Sequence, residues 1–425
     1  MHVGIFPTLT LESIHNWEKD SMYLRRTVER AIPSLCKNFK VLLVTGMRQV
    51  GKRTLLQQLS ESERQYITLD NFEDFELASH APSAFFKQHA LPLTIDEIQR
   101  VPSLFRQVKA EVDKSTETGK VWISGSQRFS LMKNVGDSLA GRLFEVHLMP
   151  LSIYEREGKG LLQTPYLPSN ELKTHLDVKS SIETWKIIWQ GAWPKLLDMS
   201  AKERTQFFEA FVQTFLERDI RTLGNIEKLV DFRKFMMALA MRTGQELRIN
   251  KFCEIARVSE PTVKRWLSVA EASGLIYLLR PFSTNATKTL TKSPKVYFCD
   301  TGLAAFLCGF STPEEMHRDM NAGAFFETFV ITEILKSWRH NGLEPDLYFY
   351  RNLKKQSEID LLIHANGLYH PIEIKMSEQP NFAMTRHFDE LKDLQINVGQ
   401  GAVICNCPNY RYLKDDVIAH NLWQI

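Results

Sequence analysis

The sequence lacks the features of membrane proteins and of disulfide-stabilised proteins. It contains no run of about 18 uncharged apolar residues, which a membrane-spanning helix requires. Its six cysteines form no paired framework, because Cys405 and Cys407 make one Cys-x-Cys motif without a second pair, and no zinc site is expected. Residues 1–20 lack the basic start and the apolar stretch of a secretory signal. We therefore expect a protein of the reducing cytoplasm without a membrane partner.

The sequence also has little net charge. Its 53 Lys and Arg residues against 50 Asp and Glu residues leave +3, which gives no indication of nucleic acid binding but can conceal a local imbalance. The length of 425 residues, with 44% apolar and 24% charged residues, is typical of a globular chain. At this length, about three domains are expected.

The order of hydrophobic patterns predicts an α/β fold with three domains after a leader at residues 1–21. Over residues 22–157, short apolar strands alternate with helical patterns, which favours a parallel sheet. The predicted strands are Val41–Thr45, Tyr66–Leu69, Leu93–Asp96, Val121–Ser124 and Phe144–Leu148. Residues 171–305 predict a helical linker and a winged-helix domain, and residues 321–425 predict a helix followed by strands.

A glycine-rich segment from Gly46 to Thr54 follows the first strand and precedes a helical pattern. Strand, loop and helix in this order are the context of the phosphate-binding loop of P-loop NTPases. Gly46 and Gly51 allow backbone N–H groups to surround phosphates at a helix N-terminus, and Lys52 reaches the β- and γ-phosphates. The segment therefore predicts binding of ATP or ADP.

Polar residues that end two later strands are expected at the same edge of the sheet. Asp96 fits a magnesium ligand and Glu97 fits a base that orients attacking water, with ordinary strand-end charges as the alternative. Ser126 or Gln127 is expected to touch the γ-phosphate. For Arg142, stabilisation of the transition state and a surface salt bridge both remain open. The predicted nucleotide contacts are Gly46, Arg48, Gly51, Lys52, Arg53, Thr54, Asp96 and Ser126.

Arg53 occupies the position where a phosphate-binding loop usually has Ser or Thr, whose hydroxyl binds magnesium, and Thr54 comes one place later. A guanidinium cannot ligate a cation. We therefore expect nucleotide binding to be kept while magnesium coordination and magnesium-dependent hydrolysis are weakened. The alternative is that Arg53 turns to a phosphate and partly replaces the metal.

Two helical patterns, residues 250–257 and 260–273, flank a short turn and predict a helix-turn-helix. Two strand patterns after Gly274, at residues 275–279 and 296–299, add a wing. Six basic residues against one acid between positions 261 and 295 favour phosphate contacts, and DNA is the expected partner. A winged helix that packs beside the ATPase without touching DNA is the alternative. The predicted DNA contacts are Thr262, Lys264, Arg265, Lys288, Lys292 and Lys295.

The dipeptide Asn366-Gly367 between two alternating runs predicts a two-residue β-hairpin with a fixed register. Side chains alternate with period two, so several charged residues are expected to share one face. The expected cross-strand pairs are Ala365–Leu368, Asp360–Glu373 and Glu358–Lys375.

Two directly opposed carboxylates repel and need a cation, a shared proton or a lysine. An oxygen-rich site suits Mg²⁺ or Mn²⁺, so Asp360 and Glu373 predict a metal site that activates water beside a phosphodiester. Lys375 would stabilise charge, and Glu327, a polar residue in an apolar helical pattern upstream, would complete the site. The alternative is a solvated sheet face with a Glu358–Lys375 ion pair.

Together these motifs resemble the prokaryotic AAA-type P-loop ATPases that carry a C-terminal domain of unknown function, near the archaeal signal-transduction ATPases. The resemblance covers nearly all of residues 22–425. In the first domain it is carried by Tyr23–Arg26, Gly46–Lys52, Leu93–Gln99, Ser124–Gln127, Ser138–Arg142 and Met149–Ser152. Beyond it the motifs are Leu216–Asp219, Arg242–Gln245, Pro261–Leu267, Tyr297–Leu303, Gly323–Glu327, Glu358–Asp360 and Pro371–Lys375.

The resemblance implies an ATPase core, a winged helix and a C-terminal restriction-endonuclease-like α/β fold. It also implies that Glu327, Asp360, Glu373 and Lys375 match the acid–acid–lysine pattern of nucleases. Two functions follow as hypotheses. One is a weak or regulated ATPase coupled to DNA binding and to metal-dependent phosphodiester cleavage. The other is a nucleotide-dependent switch, without chemistry in the C-terminal domain, that binds DNA or a protein. Assembly into a homo-oligomer is left open.

Overall fold

The computed structural model describes residues 23–125, 139–171, 175–215, 229–284 and 293–425. The leader expected at residues 1–21 and the predicted site residues Ser126, Gln127, Lys288 and Lys292 lie outside these ranges. Within the described ranges, no helix is both long and apolar enough to cross a bilayer.

A parallel sheet of five strands forms the first part of the fold. Its strands are β1 (Val41–Thr45), β2 (Gln65–Thr68), β3 (Leu93–Asp96), β4 (Val121–Ser124) and β5 (Leu143–His147). They lie in the order β2-β3-β4-β1-β5, and every neighbouring pair is parallel. The α/β fold and all five predicted strands are confirmed, with β2 and β5 displaced by one residue toward the N-terminus.

Helices cover both faces of this sheet. They are α1 (Ile32–Asn38), α2 (Lys52–Leu59), α3 (Phe72–His80), α4 (Pro82–Gln88), α5 (Leu104–Asp113) and α6 (Ile153–Arg156). Alternate residues of β1 pack into different cores: Val41 and Leu43 into one, Leu42 and Val44 into the other. Burial on both faces explains why β1 is apolar throughout.

A helical region follows the five-stranded sheet. It contains α7 (Ser181–Gln190), α8 (Ala201–Thr214) and α9 (Leu229–Ala240). A serine caps each of the first two, because the side chains of Ser180 and Ser200 accept backbone N–H groups of Glu183 and Glu203. These local signals fix where both helices begin.

The predicted helix-turn-helix segment forms two helices, α10 (Ile249–Ala256) and α11 (Glu260–Ala272), joined at Arg257 in the left-handed conformation. Three short strands accompany them: β6 (Gln245–Glu246), β7 (Ile276–Pro281) and β8 (Lys295–Phe298). Strand β8 pairs antiparallel with both β6 and β7. Both helices and both strands form within two residues of the predicted bounds, and β6 is an addition.

The C-terminal part contains three helices and six strands. The helices are α12 (Thr301–Cys308), α13 (Pro313–Arg318) and α14 (Ala322–Arg339). The strands are β9 (Asp346–Asn352), β10 (Ser357–Ala365), β11 (Leu368–Ile374), β12 (Gly401–Cys405), β13 (Arg411–Lys414) and β14 (Val417–Asn421). One mixed sheet has the order β13-β14-β12-β11-β10-β9-β7-β8-β6. Because β9 pairs with β7, strands β6 to β8 and the C-terminal strands share this sheet.

The hairpin between β10 and β11 has the predicted turn. Asn366 and Gly367 both have positive φ, 52° and 74°, and Ala365 pairs with Leu368. On the other side of β10, the pairing with β9 shifts between Ile359 and Leu362. The register of β10 against β9 therefore differs by one residue on the two sides of Asp360 and Leu361, as at a β-bulge.

Candidate functional site

The loop after β1 has the backbone of a phosphate-binding loop. Gly46 and Gly51 adopt φ values of 141° and 97°, which favour glycine. A Cβ atom on Gly46 would lie 2.1 Å from the carbonyl oxygen of Leu148, so only glycine fits there. Because the loop leads directly into α2, its N–H groups and the helix N-terminus together form an anion site.

Lys52 directs its ammonium group into this loop. It is buried, and its Nζ donates to the carbonyl oxygens of Gly46 at 2.9 Å and Met47 at 2.8 Å. A phosphate-binding lysine must lie on this side of the loop, so the placement agrees with the predicted role.

The two acids at the end of β3 lie at the same sheet edge as the loop. Asp96 is buried and accepts a hydrogen bond from the Ser124 hydroxyl, while the Gln99 side-chain amide donates to Glu97. Burial raises the pKa of Glu97, and the Asp96 carboxylate raises it further, against the opposing charges of Lys52 and Arg48. The predicted acids Asp96 and Glu97 therefore lie close enough to the predicted cations Lys52 and Arg48 for their charges to interact.

The residues at positions 53 and 54 do not supply a magnesium ligand. Arg53 is exposed, and its guanidinium carbon lies 5.5 Å from the ring centroid of Tyr66 on β2. Thr54 is exposed as well, and adjacent helical residues point about 100° apart, so its hydroxyl does not take over position 53. The residues present do not fit a magnesium ion held in the usual way between a loop hydroxyl and Asp96.

Arg142 is not brought to the nucleotide loop of its own chain. It precedes β5, which runs parallel to β1 with Leu143 beside Val41, so it lies at the opposite sheet edge, about 15 Å away. Its guanidinium donates to both carboxylate oxygens of Asp113, at 2.6 and 3.1 Å. The geometry favours the salt-bridge interpretation over a transition-state role within one chain.

Asp360, Glu373 and Lys375 converge at the bulge of β10. Lys375 Nζ lies 3.2 Å from Asp360 Oδ2 and 2.6 Å from Glu373 Oε1, and Asp360 Oδ2 also accepts the backbone N–H of Ile374 at 2.8 Å. The other oxygen of Glu373 is buried without a hydrogen-bond partner among the described residues. The expected ion pair Glu358–Lys375 is wrong, because Lys375 pairs with Asp360 and Glu373 while Glu358 pairs with Lys295.

The predicted DNA contact of Lys295 is wrong, because the structure buries this side chain. Its side chain is 5% exposed, and its Nζ lies 2.5 Å from Glu358 Oε1 and 3.2 Å from Glu327 Oε1. Glu327 also accepts the hydroxyl of Tyr297 at 2.6 Å. Four carboxylates lie near one another here, and we call them the acidic cluster: Glu327, Glu358, Asp360 and Glu373. Lys295 is therefore a buried counter-ion of this cluster and cannot reach a phosphate backbone.

The acidic cluster holds carboxylates with raised pKa values. Burial is the main cause for both Glu327, whose pKa rises to about 6, and Glu373, whose pKa rises to about 8; neighbouring Asp360 raises both further. Burial alone would lower the pKa of Lys375, but the carboxylates of Asp360 and Glu373 raise it above its usual value.

The predicted metal site in this cluster is not supported. No three His, Cys, Asp or Glu side chains in the described part of the chain are arranged to hold a metal ion. The Lys375 ammonium group lies between the Asp360 and Glu373 carboxylates, where a cation would have to bind. The arrangement balances charge with lysines and supports no step through a metal.

The first turns of α11 present the remaining predicted DNA contacts. Lys264 and Arg265 are exposed, and Lys264 pairs with Glu260 on the same face at 2.6 Å. Thr262 is half-buried, and its hydroxyl bonds the hydroxyl of Ser259 at 2.9 Å. The opposite face of α11 packs into the core. Exposed basic side chains on the helix that follows the turn remain compatible with a nucleic-acid contact.

Comparison with family models divides the chain into three matched parts. Residues 38–157 match the model of the AAA domain, and residues 322–425 match a domain of unknown function, DUF4143. The chain combines an AAA domain with a C-terminal domain of unknown function. The helical region between them, residues 182–314, matches another domain of unknown function, DUF8612.

Relatives share this chain over most of its length. An uncharacterized protein of Mycobacterium tuberculosis, Rv2008c, is 27% identical over 374 residues, which is 88% of this chain and 76% of that protein. An uncharacterized protein of Methanocaldococcus jannaschii, MJ1544, is 23% identical over 382 residues, 85% of this chain and 80% of that protein. The relatives therefore extend the likeness beyond the AAA domain, but their descriptions name no function.

Among solved structures, the comparison includes RuvB of Thermotoga maritima, with 13% identity and a TM-score of 0.30 over 62% of this chain and 92% of that one. The Drosophila ORC structure bound to DNA has 14% identity and a TM-score of 0.25 over 73% of this chain and 95% of that one. Scores at this level carry no conclusion about function.

Three residues that contact the AAA site were missed by the sequence reasoning. Arg26, although buried, donates to the loop carbonyl of Val50 at 2.9 Å and pairs with Glu155 at 3.1 Å. Trp193, from the helical region, donates its indole N–H to the Arg48 carbonyl at 2.9 Å, and Tyr66 lies between Arg53 and Asp96. Arg26 stands within a motif of the resemblance, but no local pattern distinguishes the other two.

Proposed function

We propose that this chain is a nucleotide-dependent switch. It binds ATP or ADP at the Gly46–Gly51 loop, hydrolyses the nucleotide weakly, and transmits nucleotide occupancy to the helical region and to the basic surface of α11. The AAA domain match and the loop backbone support nucleotide as the ligand, and AAA domains usually bind it with Mg²⁺. Arg53 at the hydroxyl position supports weak hydrolysis.

The observation that carries the proposal is the hydrogen bond from Trp193 to the loop. Its indole N–H donates to the Arg48 carbonyl at 2.9 Å, and its buried ring packs against Phe208 and Phe211 of α8. A buried indole N–H needs its partner, so a loop that rearranges around phosphates must carry this contact with it. Nucleotide occupancy would therefore reach α8 through one aromatic side chain.

Hydrogen–deuterium exchange of the full chain with and without ADP tests the switch. In the wild type, ADP is expected to slow exchange both in the loop and in α8. Trp193→Phe keeps an aromatic ring but loses the indole N–H. In this variant, ADP should still slow exchange in the loop but no longer in α8. Lys52→Ala should abolish both effects, because the phosphate-binding ammonium group is removed, with a loss of affinity of more than about tenfold.

The chain offers a matched control for Trp193. Trp189 also donates its indole N–H to a carbonyl, that of Phe310 at 3.0 Å, but it does not touch the loop. Trp189→Phe should leave the ADP-induced protection of α8 as in the wild type. Protection of α8 that persists in Trp193→Phe would contradict the proposal.

Cleavage by the C-terminal domain is the competing function, and the convergence of Asp360 with Glu373 at a buried, unpartnered oxygen favours it. The lysine counter-ions argue against it. In an assay with Mn²⁺ and linear or supercoiled DNA, we expect no product beyond that of Asp360→Ala. Metal-dependent product that disappears in Asp360→Ala would replace the switch with a nuclease.

A further inference from the structure

Arg53 is an exposed cation at the loop end of α2, directly after Lys52. Across the described ranges it forms no ion pair, and its guanidinium stands over the Tyr66 ring at 5.5 Å from the centroid. Other arginines of this domain pair with a carboxylate, as Arg100 does with Asp70 and Arg142 does with Asp113. The Tyr66 ring therefore positions the Arg53 guanidinium, and no carboxylate of the described residues pairs with it.

Tyr66 connects this cation to the acid at the end of β3. It lies on β2 beside Thr94 of β3, two residues before Asp96. Its hydroxyl is buried beside the Asp96 carboxylate and has no well-formed hydrogen bond among the described residues. One aromatic side chain thus carries a guanidinium on its face and directs its polar end to the predicted magnesium ligand.

The oxygen ligands that a magnesium ion needs are scarce at this position. Asp96 already accepts a hydrogen bond from Ser124, and positions 53 and 54 direct no hydroxyl toward it. Magnesium in nucleotide sites is held by protein oxygens together with phosphate oxygens in near-octahedral geometry. A single engaged carboxylate beside a fixed guanidinium is a poor substitute for that arrangement.

We propose that Arg53, held over Tyr66, is the counter-cation of the nucleotide phosphates, so that this AAA domain binds ATP or ADP without a divalent metal ion. The inference rests on the proposed nucleotide binding at the same loop. A guanidinium is always charged and presents paired N–H donors that match two phosphate oxygens. Arg53 follows Lys52 at the helix N-terminus, where phosphates bind. The protein thereby supplies the positive charge that Mg²⁺ supplies elsewhere.

Isothermal titration calorimetry of the full chain with ADP and ATP, in EDTA and in excess Mg²⁺, tests this inference. The wild-type Kd should change by less than about threefold between the two conditions. Arg53→Thr, which restores the usual hydroxyl, should lose at least about tenfold in EDTA and recover with Mg²⁺. Arg53→Lys keeps the charge without the fork and should lie between them.

Tyr66 is a positioning residue and has its own pair of variants. Tyr66→Leu removes the ring under Arg53 and should weaken binding in EDTA by about two- to fivefold, whereas Tyr66→Phe keeps the ring and should bind like the wild type. Arg106→Thr makes the same charge change at an exposed position of α5 and should have no effect in either condition. Melting temperatures without nucleotide show that each variant is folded.

The outcomes are separable. A wild type that binds ADP only with Mg²⁺, or an Arg53→Thr variant that matches the wild type in both conditions, would overturn the metal-independent site and leave nucleotide binding intact. A wild type that binds no nucleotide in either condition would overturn both the inference and the proposed function.

Discussion

At the scale of single residues, Lys295 and Lys375 neutralise the carboxylates of the C-terminal domain from two sides. Lys295 comes from strand β8 and reaches Glu327 and Glu358, while Lys375 directly follows β11 and reaches Asp360 and Glu373. A buried carboxylate that loses its counter-ion faces the full cost of desolvation. The raised pKa values of Glu327 and Glu373 show that even with both lysines the compensation is incomplete.

The raised pKa of Glu373 predicts a pH-dependent stability. Because its pKa rises from an ordinary 4.5 to about 8 on folding, the folded chain holds a proton that the unfolded chain has lost between these values. The stabilisation is complete below pH about 4.5 and is lost as the pH rises through about 8. Glu373→Gln stays neutral, so its free energy of unfolding relative to the wild type, and with it its melting temperature, should increase over this window, by an amount on the order of 5 kcal/mol in free energy.

Thermal melts at several pH values measure this difference. Glu314→Gln, at an exposed position in the first turn of α13, is the control and should show no trend. A difference between Glu373→Gln and the wild type that stays flat or falls with pH would contradict the prediction.

At the scale of elements, the segments with strong local signals form as predicted. The glycines of the loop, the Asn366-Gly367 turn and the two helices α10 and α11 each follow from chemistry within a few residues. The bulge in β10 has no such signal. Nor does any local signal show that Lys295 pairs with Glu358, whereas Lys375 pairs with Asp360 and Glu373. Local rules thus place elements, while the packing of elements decides which charged side chains meet.

The exposed basic residues Lys264 and Arg265, near the N-terminal end of α11, predict a salt-dependent DNA contact. Lys264→Ala together with Arg265→Ala should weaken binding to duplex DNA and reduce the slope of log affinity against log salt by about two, because each phosphate contact contributes about one. Fluorescence anisotropy at several salt concentrations measures both quantities. Lys87→Ala with Arg106→Ala removes the same charge from exposed positions of the AAA domain and should change neither. Unchanged DNA binding in the α11 variant would favour the packing interpretation.

At the scale of the whole molecule, a buried polar network joins helix α14 of the C-terminal domain to the AAA domain. Glu333 accepts the backbone N–H of Ile153 at 2.8 Å, Lys336 donates to the carbonyl of Leu151 at 3.0 Å, and the two side chains pair at 2.7 Å. His340, at the end of α14, lies 3.1 Å from Glu155, the partner of Arg26. The nucleotide loop is therefore connected to the C-terminal domain through buried charges.

Breaking the buried pair of Glu333 and Lys336 should lower the unfolding free energy strongly. Glu333→Ala leaves a buried lysine and an unpaired backbone N–H, with an expected loss of about 3–5 kcal/mol in unfolding free energy. Denaturant unfolding measures the loss. The double variant Glu333→Leu with Lys336→Met removes both charges and should be destabilised less than Glu333→Ala. Asp393→Ala breaks the exposed pair with Lys355 and should change the unfolding free energy little, because water screens such a pair. Equal losses of unfolding free energy in Glu333→Ala and Asp393→Ala would contradict the prediction that the buried pair stabilises the interface.

Sequence alone determined the nucleotide loop, the five strands behind it and the departure at Arg53, because each depends on residues that are neighbours along the chain. Tertiary structure decided the rest. It buried Lys295 among carboxylates that lie 32 and 63 positions later in the chain, paired β7 with the C-terminal strand β9, and placed Trp193 on the loop. It also put Tyr66 beneath Arg53. Such contacts depend on which surfaces pack together, and no periodicity in the sequence encodes that choice.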